Sequence, residues 1–525
     1  MQVRAGMLAV EAARRFADRV ALGDARDGST FAALDEAANR FADGLGTRGV
    51  RPGERVAVLG YNTPELVETW LALERGGFVR VVLHSHFEMP VHVALLAHVG
   101  ASAVVFDTRF AAALAEHRAE LGQVRLWVAI GEDPPYWSLP YEELLRGGDG
   151  AQPSLDVDED APVCIQPTTG TTGAPKPWIV SHRAWHALVA HNLAHLDTLA
   201  EKPLGTDDVN LHVHAVQWAS GAQTLLPYML RGARTVLQDD AAFDPAAIVQ
   251  TLTAEGVTGV LVPGPMLIAL LDQIATAEGF EHRLRRLVTL FATPELLRRA
   301  SALLGEVWCH GYGATEQGAP ATRLSAAEAR AKPARLRSVG RPASPFLDLR
   351  IVDAAGERLP AGAVGEIVVR SPMSGGGYWR RPDLDRESRL PGGWFRSRDL
   401  GYLDADGFLY YVDRARDAIE TAHGTVFPHE IEAAVLRHAA VANCGAVGLG
   451  AAGAQEVVAA VVLKAGHEDS PRLAIEIADA AAAVLEPHAR PRVRLLAELP
   501  TVLGGAKVQR ELLREQLSAA VAPAS

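Results

Sequence analysis

The sequence predicts an α/β fold with a large N-terminal domain of doubly wound sheets, a β-rich subdomain and a small, mobile α+β C-terminal domain. Three observations lead to this prediction: helix and strand patterns alternate through the first third of the chain, the alternation returns at 233–308, and the texture changes near residue 335. Short runs of Val, Ile and Ala that alternate with helices are typical of a parallel sheet covered on both faces.

The alternation of the first third is clear in individual segments. "FAALDEAANRFADGL" (31–45) has apolar residues at helical spacing, whereas "ERVAVLG" (54–60) has the pattern of a short buried strand. "PELVETWLALERGG" (64–77) starts with Pro and ends with Gly, as helices often do. The stretch 101–130 continues with a strand, a helix and another strand.

The later part of the chain has a different pattern. From about residue 335 it is rich in Gly and Pro and alternates in steps of two, which predicts antiparallel β structure. A smaller unit follows "YYVDRARD" (410–417), with two helical patterns, a strand and a basic tail. The predicted division is a large domain at 1–412, a hinge at 413–417 and a small domain at 418–525.

Composition limits the possible functions. The 525 residues are 48% hydrophobic and 22% charged, which indicates globular domains. The net charge of −12 argues against a general nucleic-acid binder, because such proteins carry a basic face. Three widely spaced cysteines favour a reducing compartment. No signal peptide is recognisable and no apolar run approaches the ~20 residues of a membrane span, so a cytoplasmic protein is expected.

The segment "PTTGTTGAPK" (167–176) combines small, hydroxyl and cationic residues in a way that suits a phosphate-binding loop. It follows a predicted strand, and ligands bind at the carboxyl ends of strands in α/β proteins. It fails the Walker A pattern because its lysine stands between two prolines. The segment alone leaves open a phosphate loop or a polar surface loop. Its candidate phosphate-binding residues are Thr168, Thr169, Gly170, Thr171, Thr172, Gly173 and Lys176.

Five further segments complete a pattern. With the Thr-rich loop, they resemble, in order, the motifs of the adenylate-forming enzymes, which comprise acyl- and aryl-CoA synthetases, adenylation domains and firefly-type luciferases. The similarity extends from about residue 30 to residue 513 and is greatest to an acyl- or aryl-CoA synthetase. The segments are "GYGATE" (311–316), "GEIVVRSP…GGGYW" (365–379), "WFRSRDLGYLDADG" (394–407), "VDRARDAI" (412–419) and "LPTVLGGAKVQRELL" (499–513).

The resemblance implies a reaction and its participants. The family joins a carboxylic acid to AMP, releases pyrophosphate and usually then forms a thioester. Two anions meet in the first step, so cations and hydrogen-bond donors must absorb charge. The implied cofactors are ATP, Mg²⁺ and CoA or a phosphopantetheine carrier. The implied partners are a small carboxylic acid and CoA or a carrier protein, and a monomer or homodimer is the family expectation.

The "GYGATE" segment resembles the nucleotide motif of the family. Glu316 matches the glutamate that binds Mg²⁺, a hard cation that prefers carboxylate oxygens. By the same resemblance, Thr315 contacts the α-phosphate and Tyr312 stacks near the adenine. Gly313 lies within the same nucleotide-binding turn. The alternative for Glu316 is an ordinary acidic residue in an exposed loop.

The C-terminal motifs carry the remaining implied roles. Asp399 matches the aspartate that accepts hydrogen bonds from both ribose hydroxyls, and Arg414 matches an arginine that reaches the ribose or phosphates. Arg416 stands at the hinge, where the family rotates its small domain between half-reactions. Lys507 matches the catalytic lysine, which leaves Lys176 to position the phosphate loop. The alternatives are an interdomain salt bridge for Arg414 and a mobile basic tail for Lys507.

The resemblance also places an acid pocket. His212 and His214 are two residues apart and would share a strand face, but no third metal ligand has a useful spacing. The short "LFATPELL" segment (290–297) and Trp218 favour a hydrophobic, cyclic or aromatic acid. The candidate pocket residues are His214, Gln217, Trp218, Gly221, Gly311 and Ala314.

Two departures from the family pattern bear on function. The family's Thr-Gly-Asp is Ser-Arg-Asp here, with Arg398 in place of Gly, so a different turn is expected. After the hinge, His423 stands where the family commonly has Gly, and Glu420 adds negative charge. A bulky side chain there would hinder the thioester-forming conformation more than the adenylating one. Adenylation is therefore better supported than thioester formation.

The leading hypothesis is an ATP-dependent carboxylate–AMP ligase of the acid–thiol ligase type, with CoA ligation, acting on a hydrophobic or aromatic acid in secondary metabolism. One alternative is an adenylating enzyme that passes its acyl-AMP to a carrier protein or a separate ligase. A luciferase-like oxygenase has no support in the sequence. A catalytically silent nucleotide-binding protein is disfavoured because Glu316, Asp399 and Lys507 are all present.

Overall fold

The computed structural model describes residues 4–153, 157–168, 176–502 and 507–519, with only the backbone described at positions 502 and 507. The chain forms two compact units, and each is considered on its own. The first unit comprises Met1–Leu349 and Val369–Phe395, and the second comprises Arg350–Val368 and Arg396–Ser525. The predicted hinge at 413–417 lies inside the second unit, so the hinge and the predicted domain boundary stay predictions.

A seven-stranded sheet forms the first part of the first unit, in the order β7-β6-β5-β3-β4-β8-β9. All its neighbouring strands are parallel except the last pair, in which β9 runs antiparallel to β8. The elements of this region are α1 Met7–Phe16, β1 Val20–Leu22, β2 Ser29–Thr30, α2 Phe31–Thr47, β3 Arg55–Leu59, α3 Pro64–Arg75, β4 Val79–Leu83, α4 Met89–Val99, β5 Ala103–Asp107, α5 Ala111–His117, β6 Leu126–Ile130, β7 Leu139–Pro140, α6 Tyr141–Gly147, β8 Pro162–Thr168 and β9 Lys176–Ser181.

The sequence explains these elements locally. Helix α3 begins where the Thr63 hydroxyl accepts a hydrogen bond from the Leu66 amide, with Pro64 in the first turn. Every residue of β4 and β5 is buried, as expected for strands that helices cover on both faces. Phe106 and Ile165 belong to the apolar core on one side of this sheet.

A nine-stranded sheet completes the first unit, in the order β16-β15-β14-β13-β12-β10-β11-β1-β2. The six strands from β14 to β1 are parallel, and β2, β15 and β16 add antiparallel edges. The elements are α7 His182–Asp197, β10 Val209–His212, α8 Leu226–Leu230, β11 Arg234–Leu237, α9 Pro245–Ala254, β12 Gly259–Leu261, α10 Gly264–Thr276, β13 Arg286–Leu290, α11 Pro294–Leu304, β14 Trp308–Tyr312, β15 Thr322–Ser325, α12 Ala326–Ala331 and β16 Arg341–Pro342. The predicted pair of doubly wound sheets is confirmed.

The rest of the chain is richer in antiparallel β structure, as predicted from residue 335 onward. Strand β20 pairs antiparallel with both β19 and β21 in a five-stranded sheet, and β24-β25-β26 form a separate three-stranded sheet. The elements are β17 Asp348–Val352, β18 Gly365–Arg370, α13 Pro382–Glu387, β19 Arg389–Leu390, β20 Trp394–Leu403, β21 Leu409–Arg414, β22 Ile419–Thr421, β23 Gly424–Val426, α14 Pro428–Val435, β24 Val441–Leu449, β25 Glu456–Leu463, α15 Pro471–Ala482, β26 Arg492–Leu495, β27 Thr501–Val502, β28 Lys507–Val508 and α16 Arg510–Ala519.

The end of the chain differs from the expected basic tail. Residues 510–519 form α16, and Leu513 and Leu517, four residues apart, pack against Val447 and Val458 of the three-stranded sheet. The charged residues dominate this stretch in the sequence and hide that apolar stripe. Across the part of the chain that the structure describes, no helix has both the length and the apolar character needed to cross a bilayer.

Candidate active site

The candidate site lies at one edge of the nine-stranded sheet. Strands β10, β12, β13 and β14 are parallel, so their carboxyl ends meet at the same edge. The pairing register sets Leu290, the last residue of β13, beside Gly311 of β14. The Tyr-Gly segment after β14 and the histidine segment after β10 therefore emerge together, at the position where open α/β sheets bind ligands.

The "GYGATE" segment leaves this edge through a short helical turn at Thr315–Gln317. The Glu316 carboxylate accepts a hydrogen bond from the Tyr378 hydroxyl at 3.4 Å, which is long for an O–H···O bond. Burial, followed by the nearby Glu316 charge, raises the pKa of Tyr378. The Gln317 amide donates to the Tyr312 hydroxyl at 3.3 Å. Neither Tyr378 nor Gln317 was assigned a role from the sequence, and both hold predicted nucleotide residues.

Three residues of this segment occupy the turn itself. Thr315 and Ala314 are half-buried beside Glu316. A Cβ atom at Gly311 would lie 2.6 Å from the Thr322 carbonyl oxygen, and one at Gly313 would lie 2.8 Å from the Ala321 nitrogen. The close approach of residues 321–322, where the following strand begins, therefore requires glycine at both positions. Their roles in nucleotide and acid binding stay predictions.

The phosphate-loop residues Thr169, Gly170, Thr171, Thr172 and Gly173 lie outside the described residues. At the base of the loop, Thr168 pairs with Lys176 across β8 and β9, and the Thr168 hydroxyl donates to the Lys176 carbonyl at 3.4 Å. Strand β9 thus separates the loop from helix α7, which begins at His182. The half-buried Lys176 begins this strand.

A histidine that the sequence analysis missed lies at the base of the loop. The Nε2 atom of His84 is 3.3 Å from the Pro167 carbonyl oxygen, and its ring packs edge-on against Trp218 at 4.5 Å between centroids. Burial lowers the pKa of His84 to about 3, so the ring is neutral. His84 therefore links a predicted acid-pocket residue to the strand that enters the phosphate loop.

His212 and His214 do not share a strand face, which corrects the expectation from their spacing. The strand ends at His212, and His214 lies in the loop that follows. The His214 Nε2–H donates to the Leu261 carbonyl at 2.9 Å, while His212 Nδ1 lies 3.1 Å from the Thr224 hydroxyl. Both rings are buried, and burial lowers the pKa of His214 to about 4. His214 thus joins the ends of β10 and β12 as a neutral donor.

Both the side chain and the backbone of Gln217 make hydrogen bonds. Its buried amide nitrogen donates to the carbonyls of Gly60 and Leu83, at 3.1 and 3.2 Å. The buried Arg80 guanidinium donates to the backbone carbonyl oxygen of Gln217 at 2.9 Å. Gln217 thereby connects the ends of β3 and β4 in the seven-stranded sheet to the acid-pocket loop. Asn62, which the sequence analysis missed, accepts from the Val216 amide of that loop at 2.7 Å.

Gly221 begins a π-helical turn at Gly221–Leu225, directly after the acid-pocket loop. A Cβ atom at this glycine would lie only 2.1 Å from the Val216 carbonyl oxygen. The glycine is therefore needed to bring the turn against the loop. This contact accounts for the residue structurally, and its place in the lining of the pocket stays a prediction.

In the second unit, Asp399 and Arg414 pair across β20 and β21, and their Oδ1 and Nε atoms are 3.4 Å apart. Arg398 has a φ of 64°, in the left-handed region that favours glycine. Arg398 lies inside β20, so the chain there adopts a backbone conformation that glycine favours although arginine occupies the position, and the turn expected from the sequence is part of a strand. The Arg398 amide donates to the Glu366 carboxylate at 3.1 Å, which supports this conformation.

Two further predicted residues lie in the same unit. Arg416 is 3.6 Å from Asp417 and 3.9 Å from Glu511, both at the limit of ion pairing. Lys507 begins β28 and pairs with Val502 of β27 in a two-stranded hairpin. Asp399, Arg414, Arg416 and Lys507 therefore belong to one compact unit, whereas Glu316, Tyr312 and the acid pocket belong to the other.

The fit of Mg²⁺ rests on Glu316. Within the described residues, no group of three or more His, Cys, Asp or Glu side chains could enclose a metal ion. Mg²⁺ commonly binds through one or two carboxylates, with phosphate oxygens and waters as the other ligands. A single carboxylate on the turn after β14, oriented by Tyr378, suits that kind of site and does not suit a structural metal cage.

Comparison with known proteins agrees with this arrangement. The model of the family "AMP-binding enzyme" matches residues 9–379, and that of the "AMP-binding enzyme C-terminal domain" matches residues 430–502. The chain is 31% identical to a feruloyl-CoA synthase from Amycolatopsis sp over 83% of its length and 84% of the relative. It is also 31% identical to a long-chain-fatty-acid–CoA ligase from Thermus thermophilus, over 84% and 82% of the two chains.

A solved structure shares the whole fold. The anthranilate CoA ligase AuaEII, solved with anthranoyl-AMP, superposes with a TM-score of 0.88 over 99% of both chains at 23% identity. The two-domain adenylate-forming fold and the predicted enzyme class, an AMP-forming acid ligase, are therefore confirmed. The chain belongs to the AMP-binding enzymes, the adenylate-forming family that its motifs indicate.

Proposed function

We propose that this protein is an ATP-dependent carboxylate–AMP ligase that releases pyrophosphate and then transfers the acyl group to CoA. One observation supports this most directly. The nucleotide segment that ends at Glu316 and the acid-pocket loop that contains His214 leave the same edge of one sheet. Attack of a carboxylate on the α-phosphate requires the acid and the nucleotide to be adjacent.

The residues of the chain have distinct parts in this proposal. Glu316, oriented by Tyr378, would hold Mg²⁺, which supplies positive charge to the phosphate oxygens when bound. Thr315 would donate to the α-phosphate. Asp399 and Arg414 would bind the ribose and phosphates, and Lys507 would neutralise the developing acyl-phosphate charge.

The identity of the acceptor depends on the segment after the predicted hinge. Strands β22 and β23 form a hairpin whose two-residue turn contains His423, and the Thr421 hydroxyl donates to the Gly424 carbonyl at 2.7 Å. Glu420 and His423 both have exposed positions on this hairpin. Because these side chains replace a glycine-rich turn, an enzyme that delivers its acyl-AMP to a carrier protein or separate ligase is the second candidate.

The test is a screen of carboxylic acids for pyrophosphate release in the presence of ATP and Mg²⁺. The proposal predicts release that depends on the acid, and capture of the acyl-AMP by hydroxylamine. Free CoA and a phosphopantetheinylated carrier protein are then compared as acceptors. Thioester formation on CoA at the rate of pyrophosphate release supports the leading candidate. Thioester formation on the carrier alone supports the second, and the absence of acid-dependent release contradicts both.

A further inference from the structure

A small cavity lies beside the predicted acid pocket in the first unit. The volume within it that the centre of a water-sized group can occupy is about 10 Å³. That is close to the minimum that one water molecule needs, ~10–15 Å³. Two of its lining residues contact or flank predicted pocket residues, since the Leu261 carbonyl binds His214 and Leu290 lies in register beside Gly311. The cavity is therefore adjacent to the space that the acid would occupy.

The lining of this cavity contains buried polar atoms without hydrogen-bond partners among the described residues. His195 and Asn192 both line it and are 2% and 0% exposed. Among the described residues, neither ring nitrogen of His195 has a hydrogen-bond partner, and neither does the side-chain oxygen of Asn192. Buried polar groups in folded proteins are nearly always paired with protein or with water, so these two side chains in the cavity wall suit a polar group or a water molecule inside the cavity.

The chemistry of these atoms defines that group. The Asn192 side-chain nitrogen donates to the Leu188 carbonyl at 2.8 Å, which fixes the amide oxygen as the free acceptor. Burial lowers the pKa of His195 to about 3, so its ring is neutral, with one donor and one acceptor. The two ring nitrogens point away from each other, so one substituent of a ligand can reach only one of them. A hydroxyl or an amino group can pair with one ring nitrogen of His195 and with the Asn192 oxygen, whereas a methoxy group has no proton to donate.

The uncharged lining excludes acids that would place a second carboxylate in this cavity. Among the described residues that line the cavity, none is a lysine, an arginine or an acid. A second carboxylate on the substrate would therefore be buried without a counter-charge, which is strongly unfavourable. The remaining polar lining residues already have partners, because Gln223 donates to the Ala319 carbonyl at 3.1 Å and Thr224 donates to the Ser220 carbonyl at 3.1 Å.

We propose that this cavity is the inner end of the acid pocket and selects a compact ring acid with a hydroxyl or amino group that hydrogen-bonds to His195 and Asn192. The inference rests on the proposed adenylation function and narrows its substrate class. A site built to hydrogen-bond a substrate group discriminates strongly against the analogue that lacks it, because its own polar atoms are then left unpaired.

The experiment measures kcat/KM for pyrophosphate release on matched acids. The panel contains benzoate and cinnamate, their ring-hydroxylated, amino, methoxy and carboxy derivatives, and octanoate. The expected result is a preference of at least about tenfold for a hydroxyl or amino derivative over its unsubstituted parent. His195→Phe and Asn192→Leu are expected to reduce that preference to about onefold. His186→Phe is the matched control, since His186 lies on the same helix and its Nε2 contacts the Arg4 carbonyl at 2.7 Å.

Each outcome decides a separate point. Equal kcat/KM for substituted and unsubstituted acids in the wild-type enzyme overturns the inference, as does a preference that survives both substitutions. Activity confined to octanoate also overturns it and leaves the proposed function standing. If no acid drives pyrophosphate release, the proposed function itself fails. The wild-type panel alone can overturn the inference, so the test remains valid even if a variant does not fold.

Discussion

Asp399 and Arg414 face each other across two antiparallel strands, with the Asp399 Oδ1 atom 3.4 Å from the Arg414 Nε atom. The aspartate is only 8% exposed. A buried carboxylate held by a guanidinium is preorganised to accept two hydroxyl donors, such as those of a ribose. The pair therefore connects the predicted nucleotide role of Asp399 to a defined local geometry.

The first prediction concerns this carboxylate. Asp399→Asn is expected to raise the KM for ATP about tenfold or more, because an amide loses both the charge and one acceptor oxygen. Steady-state kinetics at saturating acid measure the effect. Asp404→Asn is the matched control, since the Asp404 Oδ1 accepts from the Asp406 and Phe408 amides and an amide oxygen preserves those bonds. An unchanged KM in Asp399→Asn would refute the assignment.

The second prediction concerns Glu316. Glu316→Gln is expected to raise the Mg²⁺ concentration needed for half-maximal activity about tenfold, because a neutral amide binds a hard cation weakly. Tyr378→Phe should have a smaller effect in the same direction, since its 3.4 Å hydrogen bond is long. Titration of activity with MgCl₂ checks both. The control is Glu306→Gln, which alters an exposed ion pair with Arg330. An unchanged Mg²⁺ requirement in Glu316→Gln would show that Glu316 does not bind the cation.

The third prediction concerns a buried ion pair near the predicted catalytic lysine. Arg510, three residues after Lys507, donates to the Glu432 carboxylate at 2.7 Å, and each side chain is 16% exposed. Burial raises the pKa of Glu432 to about 7. Arg510→Met leaves this carboxylate buried without its cation, so the free energy of unfolding should fall by about 3 kcal/mol.

A double variant separates the charge from the packing of this pair. Glu432→Gln keeps an acceptor for the Ala446 amide, so combining it with Arg510→Met should recover at least about half of the loss. Arg492→Met, in an exposed pair with Glu456, is the control and should change stability by less than about 1 kcal/mol. Denaturant unfolding measures each value. If the unfolding free energy lost in the double variant equals the sum of the two single losses, Arg510 and Glu432 are not coupled.

The fourth prediction concerns acid stability. Burial lowers the pKa of His195 from 6.5 to about 3, so the unfolded chain binds a proton there that the folded protein does not. The stability that depends on this neutral ring is complete above pH 6.5 and is lost as the pH falls from 6.5 towards 3. Several other buried histidines have pKa values lowered for the same reason, namely His84, His92, His182, His212, His214 and His310.

Comparison with a variant isolates one histidine from this set. Between pH 4 and 6, His195→Phe should reduce the slope of unfolding free energy against pH by about 1.4 kcal/mol per pH unit. Buried acids act in the opposite direction, since burial raises the pKa of Glu74 to about 7, but they are common to both proteins. An identical slope in the two proteins would show that His195 titrates normally when folded.

The fold was predictable because its signals are local. The strands of both sheets consist of short apolar runs between helices, and each motif occupies consecutive residues. The helix at 510–519 was missed because only two leucines, Leu513 and Leu517, mark its apolar stripe among charged neighbours. A short helix with so few apolar positions gives a weak periodic signal.

The supporting residues of the candidate site were not predictable because their contacts are long-range. His84 contacts a carbonyl 83 residues further along the chain, and Asn62 binds an amide 154 residues away. A sequence pattern does not reveal which distant backbone group a polar side chain will meet. His195 likewise resembles an ordinary helical residue until the fold encloses both of its ring nitrogens.

Exchange of pyrophosphate into ATP, in the presence of an acid that the screen identifies, measures the proposed adenylation by itself. This exchange reports formation of the acyl-AMP without the later transfer. Acid-dependent exchange is expected in the wild-type enzyme and in Lys464→Ala, which replaces an exposed lysine of the same unit. A loss of at least about 100-fold is expected in Lys507→Ala. Exchange at the wild-type rate in Lys507→Ala, or exchange without any acid, would rule out the adenylation role proposed for Lys507 and the acid.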